Sequence, residues 1–389
     1  RTRRDQPLGV IPGYHREKFH PLIVPMSASK PSIALVAGEA SGDQLGATLI
    51  SELRKTYPDA VFTGIGGQKM RAAGMETWWD CEELAVFGLF EVLSHFPRLF
   101  SIRRELRRRL LALKPDVFIG IDAPDFNLGL ESVLKRAGIR TVHYVSPTVW
   151  AWREKRVHKI ARAADLVLCL FPFEPRFYQG HGVSAVYVGH PMADQISAQW
   201  EPAEARNSLG IKSSGEIIAL LPGSRVGEVS RLAGPMIEAS RIIAGQIPEM
   251  SFVAAMANSN VRTLFEAALR QDGNPDIQLV DNDPRNVIAA ADVVMVASGT
   301  AALETMLVNR PMVVSYRIAN STYQLARTLK LVKAEYFSLP NILAGEALVP
   351  ELLQHEATGP NMASEVLRWL EDSERRSALQ QRFSQLNSE

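Results

Sequence analysis

The sequence predicts an α/β protein made of two doubly wound, Rossmann-like domains facing a shared cleft. Three observations carry that expectation. Short β-branched runs alternate with helical patterns along the whole chain, as in successive βαβ units. Most of these runs are apolar at every position rather than at every second one, which suits parallel strands covered on both faces. Two sets of such runs are separated by Gly189-His190-Pro191 and the polar stretch 195–210.

In the first half the strand candidates are residues 33–37, 61–64, 117–121, 141–145, 166–170 and 185–188. In the second half they are 217–221, 251–255, 277–280, 293–296 and 312–315. The longest apolar run, 166–173, reads as a buried strand and is too short to cross a membrane. One helix is expected with Pro97 in its first turn and an end before Pro115. Its core stripe is Leu99, Ile102, Leu106, Leu110 and Leu113. Residues 1–30 lack periodicity and read as a poorly ordered extension, with Met26 a candidate start. The expected domains are 31–196 and 197–360, followed by a helical segment at 361–389.

Composition excludes several classes. With 389 residues, 46% hydrophobic and 22% charged, the chain is long enough for a large core. A formal net charge of +1 gives no reason to expect nucleic acid. The two cysteines form no metal-ligand or disulfide pattern, which suits a reducing compartment. No signal peptide is visible, and no H-E-x-x-H metal signature or nucleophile elbow occurs.

The chemistry concentrates at strand ends, where α/β sheets open onto their ligand crevice. The strand at 117–121 runs into a loop carrying Asp122 and Asp125, and the strand at 141–145 into Ser146-Pro147 with Trp150 and Trp152 beyond. Carboxylates and indoles so placed suit a hydroxyl-bearing, partly apolar substrate. The bland alternative is that either aspartate caps the next helix. Residues 35–43, L-V-A-G-E-A-S-G-D, form a strand, a glycine-marked loop and a helix start. There Gly38 and Gly42 permit close approach to a ligand, beside Glu39, Ser41 and Asp43. A tight turn capped by Ser41 or Asp43 is the structural alternative.

Leu221-Pro222-Gly223-Ser224-Arg225 repeats the arrangement, and Arg225 offers a planar donor fork to a pyrophosphate unless it merely pairs with Glu228. Ser298, Gly299 and Thr300 open a third helix start suited to phosphate. Glu304, one turn on, is placed to accept ribose hydroxyls or else to act as a capping-type partner. His143, His181 and His190 read as structural. On the helix near residue 100, Phe100 falls among Arg103, Arg104, Arg107 and Arg108, with Phe90, Val92, Leu93 and Phe96 upstream and Leu99 alongside. An aromatic on a basic face beside an apolar loop suits a membrane surface, the alternative being a solvated arginine face next to a core loop.

Taken together the motifs resemble one family, the bacterial lipid-A-disaccharide synthases. The resemblance rests on 35–43, E-E-L-A-V-F-G at 82–88, G-I-D-A-P-D-F-N at 120–127 and H-Y-V-S-P-T-V-W-A-W at 143–152. It continues through L-P-G-S-R at 221–225, A-S-G-T-A-A-L-E at 297–304 and S-L-P-N-I-L at 338–343. It implies a GT-B fold of glycosyltransferase family 19, with an acceptor-side domain followed by a UDP-sugar-binding domain. The implied reaction moves 2,3-diacylglucosamine from UDP to the 6-hydroxyl of 2,3-diacylglucosamine 1-phosphate. The product is β-1,6-linked, UDP leaves, and no cofactor or metal is implied.

An inverting displacement needs one base and stabilisation of the departing UDP. Asp122 is the candidate base, Arg225 with Ser298–Thr300 the diphosphate site and Glu304 the ribose partner. Asn341 resembles a family position contacting UDP, in a loop and from a partner subunit. The family's C-terminal segment takes part in a homodimer, and here it is expected to be truncated. Residues 1–30 are expected to have no counterpart in the family. The implied location is cytoplasmic, peripheral to the inner membrane of a Gram-negative bacterium. Two alternatives stay open: another GT-B transferase or epimerase acting on UDP-N-acetylglucosamine, and a nucleotide-responsive membrane-binding protein without activity.

Overall fold

The computed structural model describes residues 30–84, 89–147, 157–196, 200–211, 215–270, 275–319 and 335–388, with the backbone alone for 89–97. The chain divides after Pro191 into two compact units, each built on a parallel sheet. In the first unit the strands are β1 (Ser32–Ala37), β2 (Val61–Ile65), β3 (Glu76–Trp79), β4 (Val117–Ile121), β5 (Arg140–Tyr144), β6 (Leu166–Cys169) and β7 (Ser184–Tyr187). Their spatial order is β3-β2-β1-β4-β5-β6-β7. The second unit has β8 (Ile217–Leu221), β9 (Ser251–Met256), β10 (Ile277–Asp281), β11 (Val293–Ala297), β12 (Met312–Tyr316) and β13 (Glu351–Leu353). Their order is β10-β9-β8-β11-β12-β13.

The apolar runs are central strands because only there are both faces covered. Every residue of β8 and β11 is buried, as are Ile33 to Ala37 of β1. Two strands escaped the sequence reading, and both lie at sheet edges. β3 is Glu-Thr-Trp-Trp and only half-buried, and β13 is three half-buried residues, so neither carries a continuous apolar run. The run at 166–173 is a strand only as far as Cys169; beyond it the rings of Phe171 and Phe173 stack at 5.7 Å in a turn.

Each sheet reverses its direction of growth once, between β1 and β4 and between β8 and β11. At such a switch point successive crossovers leave to opposite sides and open a crevice at the carboxyl ends of the two strands. The loops there lead into α1 (Ala40–Thr56) after β1 and into a helix over Pro124–Arg136 after β4.

Between them runs a long helix, Leu89–Leu113. It starts eight residues before Pro97, contrary to expectation. A proline inside a helix removes one donor and strains a turn but need not mark its start. Ile102, Leu106 and Leu110 are buried at 1% exposure or less, while Leu113 is 44% exposed because the chain leaves the helix at Lys114, where φ is 50°. Leu113 therefore does not belong to the core stripe.

The expected C-terminal helical segment is two helices, Gly359–Glu371 and Ser373–Ser388. Trp369 anchors the first, fully buried with its indole N–H donating to the Met312 carbonyl at 3.1 Å. Leu379 and Phe383 bury the second.

Asp43 corrects another expectation. It caps no part of its own turn. Its carboxylate, 5% exposed, accepts from the N–H groups of Gly67 at 2.7 Å, Lys69 at 2.9 Å and Met70 at 3.0 Å. It thereby satisfies the open end of the short helix Gln68–Ala72 and ties α1 to the turn after β2. Asp43→Ala would strip three donors of their acceptor, and chemical denaturation should show a loss of about 1–3 kcal/mol. A change below about 0.5 kcal/mol would show that water replaces the carboxylate there.

Candidate active site

In the first unit the switch point brings together the ends of β1, β4 and β5. Asp122 follows β4, its N–H donating to the Tyr144 carbonyl at 2.8 Å. Asp122 and Ala123 both lie in the left-handed region, with φ of 50° and 42°. Two consecutive non-glycine residues there cost of order 1–3 kcal/mol each and persist only where the surroundings enforce them. The enforcement is visible. Asn127, fully buried, donates its amide to the Asp122 carbonyl at 2.9 Å. Gly38 lies so close that a Cβ there would sit 2.5 Å from the Ala123 Cβ. Val145, at the end of β5, has φ of 77°, a rare conformation for a β-branched residue.

The Asp122 carboxyl is held above the ordinary carboxylate range, first by burial and then by Glu39, with His143 pulling the other way. Ser41 donates its hydroxyl to Glu39 at 2.5 Å, and both remain partly accessible. Asp125 is exposed in the first turn of the helix Pro124–Arg136, whose N-cap position is Ala123, a residue with no capping side chain. Gly38 and Gly42 are needed for packing within the chain. A Cβ at Gly42 would meet the Ala37 Cβ at 3.3 Å, so the glycine lets α1 lie close on β1. Trp150 and Trp152 lie outside the described residues.

In the second unit the loops after β8 and β11 form the corresponding site. Gly223 has φ of 115°, and the N–H groups of Ser224 and Arg225 both turn toward the Glu228 carboxylate, at 3.3 and 3.4 Å. Arg225 also pairs with Glu228 at 3.0 Å, yet its side chain remains 68% exposed. Those N–H groups and that guanidinium form an anion-binding turn that holds the chain's own carboxylate. After β11, Gly299 and Thr300 are exposed at the start of the helix Thr300–Leu307. The Ser298 hydroxyl is engaged by the Phe337 carbonyl at 3.2 Å. Glu304 is 14% exposed and accepts from Arg285 at 3.3 Å. Burial raises its pKa and Arg285 opposes the shift.

Asn341 departs from the sequence reading. It lies in a helix, Leu339–Ala344, not a loop, and is 1% exposed. Its amide donates to the Val349 carbonyl and to Glu351, each at 2.9 Å, while its oxygen accepts from the N–H groups of Leu348 and Val349. With those four bonds made, the side chain is a brace with nothing turned outward. Glu351 completes the brace by accepting from Ser338 at 2.8 Å through the backbone.

The basic face is smaller than expected. Phe100 is 62% exposed, and Arg104 and Arg107 are exposed beside it. Arg103 instead lies over the Phe126 ring at 5.7 Å, and Arg108 pairs with Glu105 at 2.7 Å. That pair and Arg109 hold the Glu105 carboxyl down at about 2. The side chains of Phe90, Val92, Leu93 and Phe96 lie outside the described residues.

The site's layout can be set beside known proteins. A family model described as lipid-A-disaccharide synthetase matches residues 33–389. The chain belongs to this family. A lipid-A-disaccharide synthase of Xanthomonas campestris is 51% identical over 95% of the chain and 85% of that protein. One of Xylella fastidiosa is 51% identical over 92% of the chain and 94% of that protein. The Xanthomonas match spans 372 residues, more than 31–389 contain, so it enters the first thirty residues, which were expected to have no counterpart.

Among solved structures, a UDP-N-acetylglucosamine 2-epimerase of Neisseria meningitidis bound to UDP-GlcNAc aligns with a TM-score of 0.61 at 12% identity, over 90% of the chain and 94% of that structure. A putative enzyme of the same name from Listeria monocytogenes aligns at 0.60 and 14%, over 90% and 91%. At such identities the likeness is one of fold, two Rossmann-like domains of GT-B type. Within the synthase family frame, sequence reasoning missed Asn127, Glu131, Arg285 and Glu351. Only Asn127 falls within a quoted motif, at the end of 120–127, and each of the four acts from a helix or an edge strand. A helix-face spacing of polar residues, Asn127 and Glu131 at i and i+4, was the available signal.

Asn341→Ala tests the brace. Thermal unfolding should shift down, as expected for a loss of about 2 kcal/mol of buried hydrogen bonding. An unchanged melting temperature with weaker nucleotide binding would restore the ligand-contact reading.

Proposed function

We propose that this chain condenses UDP-2,3-diacylglucosamine with 2,3-diacylglucosamine 1-phosphate to give the β-1,6 disaccharide 1-phosphate and UDP. Family membership supports the reaction, and one observation supports the assignment of its chemistry. A carboxylate, Asp122, stands partly buried on a strained turn at the carboxyl edge of the first sheet. The donor's α-linked phosphate becomes a β-linkage, so the reaction inverts at C1. One in-line displacement then needs one base to take the proton of the acceptor hydroxyl. Asp122 accepts that proton as the sugar oxygen attacks C1 and the bond to UDP breaks. Asp125, Glu39 and Ser41 lie along the same edge as acceptor-side groups.

Leaving-group charge goes to the second unit. Arg225, the N–H groups of Ser224 and Arg225, and the helix start at Gly299–Thr300 are the donors for the diphosphate. Glu304 accepts ribose hydroxyls. Glu228 occupies the turn until a diphosphate displaces it. Phe100, Arg104 and Arg107 form a peripheral contact with an anionic membrane, where acyl substrates reside. A basic residue near such a surface contributes about 1 kcal/mol, so binding is reversible and salt-sensitive. Among the described residues no helix is long and apolar enough to cross a membrane. A homodimer through the C-terminal helices completes the reading.

Asp122→Asn should lower kcat by roughly 10²–10⁴-fold with UDP affinity little changed. In the wild type the acid limb of kcat should lie above the ordinary carboxylate range, because a base with a raised pKa loses its proton later as pH rises. Near-normal turnover of Asp122→Asn would remove the base assignment.

For the nucleotide, calorimetry is decisive. Arg225→Ala should weaken UDP and pyrophosphate alike, Glu304→Ala should weaken UDP more, and Glu228→Gln should tighten both about two- to fivefold by removing a competing charge. Equal losses for both ligands in Glu304→Ala would exclude a ribose role.

Replacing Phe100 by Ser together with Arg104 and Arg107 by Ala should free the folded protein from anionic vesicles. Retained binding would move the contact elsewhere.

A further inference from the structure

Behind Asp122 lies a polar cluster that the proposed reaction does not use. Glu131 and His143 are both 0% exposed, and His143 Nδ1 is 2.7 Å from Glu131 Oε1. Gly120 makes room for the pair, since a Cβ there would sit 2.2 Å from Glu131 Oε1 and 2.9 Å from the Asn127 Cβ. Three atoms of the cluster are buried without a hydrogen-bond partner among the described residues: His143 Nε2, Glu131 Oε2 and Asn127 Oδ1. Orphaned polar atoms are rare in native interiors, and three in one cluster call for a reason beyond folding. A carboxyl group with no exposed surface needs a hydrogen-bonding partner held against it, and the His143 ring is the group in contact.

The cluster reaches the active site by two routes. Asn127 holds the Asp122 carbonyl at 2.9 Å. His143 pairs in register with Gly120, two residues before Asp122. We propose that Glu131 and His143 are positioning residues for Asp122: Glu131 fixes the imidazole through Nδ1, and the imidazole balances Glu39 across the Asp122 carboxylate. The inference rests on Asp122 being the base. The charge balance supports it, because burial and Glu39 raise the Asp122 pKa and His143, among the described side chains acting on it, lowers it. Among the described residues the other groups nearby do not supply a cation. Tyr144 on β5 is neutral, its hydroxyl pushed up to about 12 by burial. Asp125 is an acidic residue on the surface, and Val167, beside His143 on β6, is apolar.

The test is the pH profile of His143→Gln and Glu131→Gln in the full chain. Both should lower kcat while KM for the sugar nucleotide stays within about twofold. The acid limb should move to higher pH, so that the ratio of activity at pH 6 to that at pH 8 falls at least about threefold. An acid limb in its original place, whatever the fall in kcat, overturns the proposal, since a merely structural role leaves the profile alone. A second measurement does not depend on the activity of those variants. The chain has eight histidines, and imidazole ¹⁵N labelling follows them directly. Asp122→Asn should move the His143 imidazole signal, assigned by its loss in His143→Gln, and an unmoved signal overturns the coupling. Near-normal turnover of Asp122→Asn would instead refute the base itself, so the two failures are distinguishable.

Discussion

Parallel pairing of strands that are buried on both faces is the constraint on which everything else depends. It fills β1, β4, β8 and β11 with apolar residues at nearly every position, Ser32 at the start of β1 being polar. It also forces each connection to cross over through a helix. Where the crossovers diverge, the carboxyl ends of the two central strands have no helix packed between them. The loops carrying Asp122 and Arg225 lie at those two places.

The local cost of this arrangement is legible in the backbone. Asp122, Ala123 and Val145 take left-handed conformations at the ends of β4 and β5, and the surrounding contacts enforce them. Gly38 admits Ala123, Asn127 holds the Asp122 carbonyl, and Gly120 admits Glu131. The same economy of small residues acts in the second unit. Gly223 lets Glu228 fold into the turn, where a Cβ would stand 2.6 Å from its carboxylate. In both units glycine serves the approach of one part of the chain to another, and the open groups are what that approach leaves over.

Several roles moved once the chain was folded. Asp43 and Asn341 stand inside conspicuous motifs, yet both are buried and committed to backbone groups of neighbouring segments. Motif membership did not separate the side chains that face outward from those that hold the loop. His143 went the other way. As a single histidine it read as structural, and its partner Glu131 lies twelve residues away on a helix, so only the fold joins them.

By itself the sequence determined the class of fold, eleven of the strands and the loops that matter. Those depend on local composition: continuous aliphatic runs specify buried parallel strands, and glycine with small polar residues marks the turns that follow. The family likeness was also legible there, since long motifs in fixed order survive in one dimension. Tertiary structure alone decided the short edge strands β3 and β13, whose half-buried positions carry no apolar run. It also decided the passage of a helix through Pro97, and which of Arg103, Arg104, Arg107 and Arg108 find partners among the described residues. Charge state and availability at the site are tertiary as well. They depend on burial and on partners distant in sequence, as Glu39 and His143 are to Asp122, and no spacing along the chain encodes those distances.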